Sequence, residues 1–185
     1  MSNYYEYRLY KPYKNNLYDK IEKSWMQCDI DRIIFLNQSK YILLTPSLFL
    51  PIMKKYNIQR KVLNSDIIKN LILLLQRDRW DYNIITASDL IPRIKDLESE
   101  EDDEEYVLKN TMSMIRERFV MNKNDEVFLH ANIELKNIEI EANITIKNAL
   151  SIDIEDKFFL NKNKEVFTKF TSILDEVLAI RQLSE

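Results

Sequence analysis

None of the 185 residues of this chain is glycine. Glycine makes up about 7 % of an average protein, and it alone takes positive φ without a steric cost. Its absence excludes the phosphate loop G-x-x-x-x-G-K-[ST], the dinucleotide turn G-x-G-x-x-G and the nucleophile elbow G-x-S-x-G. Folds built on those loops are disfavoured with them. Turns here must rely on Asn, Asp, Ser and four prolines, with Asn expected at the left-handed positions. Asn15, Asn16, Asn37, Asn57, Asn122 and Asn124 lie at or beside breaks in the apolar pattern.

The remaining composition narrows the chemistry. Hydrophobic residues make up 45 % and charged residues 31 %, the range of a globular protein. Cys28 is the only cysteine and His130 the only histidine. An intramolecular disulfide is therefore impossible, and two such groups fall short of a structural zinc set. A Ser-His-Asp or Cys-His site would have to use His130, and nothing in the sequence brings Cys28 to it. No catalytic, cofactor-binding or metal-binding residue is expected. The N-terminal ten residues lack an apolar signal core, and the apolar runs Ile42–Leu50 and Leu71–Leu75 fall short of the roughly 20 residues of a membrane span. An intracellular protein with no membrane segment is expected.

The pattern along the chain predicts an α+β fold with two parts. Residues 1–63 read as a small β-rich unit. It has a Tyr-rich strand over Tyr4–Tyr10, a helix near Asn16–Met26, and two apolar runs at Asp31–Leu36 and Tyr41–Thr45 joined by a turn. A Pro-started helix over Ser47–Tyr56 and a strand at Arg60–Leu63 complete it. Residues 64–185 read as a mainly helical domain. Asn64-Ser65-Asp66 caps an apolar helix to Gln76. Residues 96–105, DLESEEDDEE, form an acidic loop that leads into a helix over Tyr106–Met121. Lys164–Leu183 is a long amphipathic helix. Residues 127–150 fit two patterns. Ile133, Leu135, Ile138, Ile140, Ala142, Ile144 and Ile146 mostly alternate, as in strands, while Ala131, Leu135, Ile138, Ala142, Ile146 and Ala149 step as in a helix. The two parts also differ in charge, +6 for residues 1–63 and −9 for residues 64–185.

Three groups of residues are candidates for function. The apolar stripe Phe167, Phe170, Leu174, Val177 and Leu178, together with Trp80, is a candidate partner interface, because wide helical stripes need something to pack against. Lys11, Lys14, Lys54, Lys55, Arg60 and Lys61, interleaved with tyrosines, are a candidate nucleic-acid patch in which cations neutralise phosphates and rings stack on bases. Glu134-Leu135-Lys136, with Asp125 upstream, fits the apolar-E-x-K strand of a Mg²⁺-dependent PD-(D/E)xK nuclease, whose metal takes oxygen ligands.

The order of elements resembles one type of GINS subunit, the Psf2- and Psf3-like type, in which a small β-rich domain precedes a helical one. Lys40–Leu63, KYILLTPSLFLPIMKKYNIQRKVL, is similar to the strand, Pro-started helix and strand that close the family's small domain. LLLQRDRWDY, ITASDLIPRI, the acid block and MIRERF resemble its helical domain over Ile68–Val120, and Ser151–Leu183 resembles a later helix. The resemblance implies a helix over 127–150 and a non-enzymatic scaffold of a DNA replication complex, in which sister subunits pack together and bridge the replicative helicase to its partner proteins. The alternative class is a viral or host-interaction protein of α+β architecture.

Overall fold

The computed structural model describes residues 3–25, 27, 32–87 and 131–182. Among these, eight strands form one antiparallel sheet with four helices packed on it. The order in sequence is β1 (Tyr4–Pro12), α1 (Asn15–Trp25), β2 (Ile33–Leu36), β3 (Tyr41–Leu44), α2 (Pro46–Lys55), β4 (Ile58–Lys61) and α3 (Ser65–Gln76). It continues with β5 (Trp80–Ala87), β6 (Ala131–Asn137), β7 (Ala142–Lys147), β8 (Ser151–Glu155) and α4 (Lys164–Gln182).

The long strand β1 organises the sheet. Tyr4–Tyr7 pair with β8, Leu9–Pro12 pair with β4, and Arg8–Tyr10 pair with β3. The order across the sheet is β2-β3-β1-β8-β7-β6-β5, with β4 also on β1. The sheet therefore runs through both sides of residue 63, and β5–β8 extend the strands of the N-terminal part. This differs from a mainly helical second part: among the described residues beyond 63, four strands accompany α3 and α4.

Alternation along the strands feeds two cores. Tyr7, Leu9, Ile34, Leu36, Leu43, Ile133, Leu135, Ile144, Ile146, Ile152 and Ile154 face α3 and α4. Tyr10, Ile33, Ile42 and Leu44 face the other way, against Tyr18 and Ile21 of α1 and Leu48 and Ile52 of α2. Residues 131–147 are thus a hairpin, and its buried set, Ile133, Leu135, Ala142, Ile144 and Ile146, is the alternating one. Ile138, which belongs to both patterns, stands exposed in the turn. β-Branched residues at every second position decide for the strand. The acidic loop at 96–105 and the helix at Tyr106–Met121 lie outside the described residues.

The missing glycines leave a mark on the turns. Among the described residues, five take positive φ: Lys40 (58°), Arg79 (62°), Glu141 (50°), Asn148 (48°) and Ala149 (55°). Asparagine fills only one of them, so the expectation for Asn15, Asn16, Asn37 and Asn57 is corrected; Asn122 and Asn124 lie outside the described residues. The reason is hairpin geometry. Leu150 N–H bonds the Lys147 carbonyl at 2.9 Å, so Asn148 and Ala149 are the central residues of a β-turn inside the three-residue β7–β8 connection, and positive φ at both is the turn geometry that follows the twist of the strands. Asparagines serve instead through their side chains. Asn64 Oδ1 caps α3 by accepting from Ile67 N–H at 2.9 Å, and Asn137 Oδ1 accepts from Glu139 and Ile140 N–H. Glu141→Gly, at an exposed turn position, is expected to raise stability by about 0.5–1 kcal/mol, a few degrees in Tm, by removing the Cβ clash. A lowered Tm in a thermal melt would contradict this.

Candidate functional site

The aromatic stripe of α4 lies inside the chain's own core. Phe167, Phe170, Leu174, Val177 and Leu178 are all buried, as is Trp80. Trp80 opens β5 and stacks on Phe158 at 5.7 Å, with Phe170 at 5.7 Å on a tilted contact. Their assignment to a partner interface is therefore corrected: α3 and the sheet cover the stripe, so a partner's surface has to be sought elsewhere.

The basic patch divides between two faces. Lys11 and Lys61 flank Leu9 on the α3/α4 side by strand alternation, and the Lys11 ammonium sits 5.0 Å from the Tyr41 ring centroid. Arg60, paired with Tyr10, lies on the α2 side, where its guanidinium donates to the Leu150 carbonyl at 3.2 Å. Lys54 and Lys55 are exposed at the end of α2, and Lys14 is exposed before α1. The six cations do not form one stripe along which a phosphate backbone could run.

Glu134 and Lys136 share the β6 face opposite Leu135. Glu134 is paired with Thr145 and Asn83, and Lys136 with Asn143 and Asp81. Further along this polar face Lys147 pairs with Asp153, and Lys157 lies 3.3 Å from Glu155. Glu155 also accepts the Asn143 N–H at 2.9 Å. Burial first, and the Glu155 carboxylate second, push the Tyr4 phenol above its ordinary value. Among the described residues no group of three His, Cys, Asp or Glu side chains is placed to hold a metal ion. Asp125, His130 and Cys28 lie outside the described residues, and no described helix is long and apolar enough to cross a membrane.

The outer surface of α2 has a different character. Thr45 precedes the helix, Pro46 opens it, and Leu48 and Ile52 bury its inner side. Phe49 stacks on Tyr10 at 4.9 Å. The opposite side carries Leu50, 58 % exposed, and Met53, 46 % exposed. With Lys54 they stand at i, i+3 and i+4, so they form one stripe. Tyr13, 73 % exposed, is held at the far end of the helix by its N–H to the Asn57 carbonyl at 3.1 Å. Helical spacing puts Leu50 and Met53 on a different side from Leu48 and Ile52, but all four are equally apolar, so the sequence does not say which side faces the sheet.

Asp175 was also hidden by its setting, as an acid inside the apolar stripe of α4. It is 8 % exposed, and its carboxylate accepts from Gln38 N–H at 2.9 Å, Ser39 N–H at 2.8 Å and Ser39 Oγ at 2.6 Å. It fastens α4 to the β2–β3 turn and is architectural. Comparisons with protein-family models, curated proteins and solved structures return no match.

Proposed function

We propose that this protein is a non-enzymatic assembly subunit that works by contact with other proteins. The observation that carries this reading is the exposed pair Leu50 and Met53 on the outer side of α2. Two aliphatic side chains beside a charged rim have the anatomy of an interface centre. Among the described residues, Leu48, Phe49 and Ile52 fix the helix to the sheet, and Leu50 and Met53 stand outside that contact.

The more specific form of this reading is a GINS-like scaffold of a DNA replication complex, joining sister subunits and bridging the replicative helicase to its partners. The order β3, α2, β4 over Lys40–Leu63, with Pro46 opening the helix, supports it. The hairpin at 131–147 stands where that family's helical domain implies a helix and lends it no support. The same hairpin favours the second reading, a viral or host-interaction protein of α+β architecture. Under either, the contact surface is α2. The nuclease alternative predicts Mg²⁺-dependent cleavage abolished by Glu134→Ala.

The test is Leu50→Asp/Met53→Asp. Both positions are exposed, so the variant is expected to keep its Tm within a few degrees. Co-expressed with candidate sister subunits and sized by light scattering, it should run as a free chain where wild type runs in an assembly. Assembly unchanged in the variant would remove α2 as the contact surface.

A further inference from the structure

We propose that the partner segment docked on α2 is acidic and carries aliphatic side chains. This deepens the contact reading and rests on it. The 34 residues from Arg32 to Ser65 contain six Lys/Arg and no Asp or Glu. They build β2, β3, α2 and β4; of the six, Lys54 and Lys55 stand on α2 itself, whereas Lys61 lies on the far face of β4, Arg60 donates to the Leu150 carbonyl and Lys40 pairs with Asp19 of α1. Lys54 continues the stripe of Leu50 and Met53. Lys55 stands beside it, its ammonium 6.0 Å from the Tyr56 ring. Tyr13, tied to Asn57, brings exposed Lys14 to the same end of the helix. An occupant matching both features offers aliphatic groups to Leu50 and Met53, and carboxylates to the lysines around them.

A nucleic acid matches only the charge. Its backbone has no apolar group to cover Leu50 and Met53, and Lys11 and Lys61 lie on the far face of the β1–β4 ribbon. A lipid surface is disfavoured by the direction of the helix's aromatic residue, since Phe49 is turned inward onto Tyr10.

The test uses the full chain and four fluorescent probes: a short helical peptide with leucines on one side and glutamates flanking them, its twin with glutamines for glutamates, a single-stranded oligonucleotide, and phosphatidylserine vesicles. The glutamate peptide is expected to bind tightest and to weaken as salt rises. Lys54→Glu/Lys55→Glu should lose about tenfold or more in affinity for it, because like charges then meet, with the melting curve unchanged. Equal binding of the glutamine twin, tighter binding of the oligonucleotide or vesicles, or no peptide binding overturns the proposal. The two readings fail separately. If Leu50→Asp/Met53→Asp disrupts assembly while Lys54→Glu/Lys55→Glu does not, contact through α2 stands and the acidic partner falls.

Discussion

Phe170→Asp is expected to abolish the cooperative thermal transition. Phe170 is fully buried, and its ring joins Trp80, which stacks on Phe158. Phe158 meets Phe167, and Phe159 links Phe167 to Tyr5 of β1 at 5.0 and 5.3 Å. These rings connect α4, the first residue of β5, the turn after β8 and the start of β1. Truncating a buried Phe costs about 3–5 kcal/mol, and the buried carboxylate adds a desolvation cost. Against a typical total of about 5–15 kcal/mol, the sum leaves little or nothing. Phe170→Leu keeps the site apolar and should still melt cooperatively. An aspartate variant that melts like wild type would show that α4 is packed differently.

Asp175→Ala is expected to have the next largest effect. It removes the carboxylate that accepts from the Gln38 and Ser39 N–H groups and from the Ser39 hydroxyl. Leaving a buried donor unmatched costs about 1–3 kcal/mol, so a loss of roughly 3 kcal/mol is expected, about 6–12 °C in Tm for a chain of this size. Asp175→Asn, which keeps an acceptor oxygen, should fall between. Asp19 provides the contrast. It pairs with Lys40 at 3.4 Å on the surface, and Asp19→Ala should cost under about 1 kcal/mol. If both alanine variants melt alike, the Asp175 contact does not hold α4 to the β2–β3 turn.

The elements with local signatures were legible in the sequence. The Asn64 cap and its helix, the Pro46-started α2 and the α4 stripe all stand where their residues indicate, because caps, proline and 3.6-residue spacing act over one or two turns. Strands β5 and β8 were harder. Trp80 and Tyr82 alternate, as do Ile152 and Ile154, but Arg79, Asp81 and Asp153 between or beside them resemble loop residues until the polar face of the sheet gives them a place. The owner of a covered face was not legible at all. Phe167, Phe170, Leu174, Val177 and Leu178 say that something covers them, and only the long-range pairing of β1 with β8 brings that cover from the same chain. Asp175 needs partners 136 and 137 residues away, a distance at which sequence periodicity carries no information.

The candidate surface was legible in part. Lys54 and Lys55 stood out as cations, whereas Leu50 and Met53 could be told from core residues only once Leu48 and Ile52 were seen to fill the inner side of α2. The absence of glycine also changed in meaning. It excludes phosphate-loop chemistry, and it places Lys, Arg, Glu and Ala at left-handed turn positions that glycine would fill without strain.

The most direct test of contact through α2 is the size of the tagged protein in extracts of the cells that naturally make it. Wild type would be compared with Leu50→Asp/Met53→Asp and with Leu73→Asp, a change at an exposed apolar position on α3. The account predicts that wild type and Leu73→Asp sediment together in an assembly larger than the 22.3 kDa chain, and that the α2 variant sediments alone. Wild type sedimenting as a single chain, or the α2 variant remaining in the assembly, would contradict it.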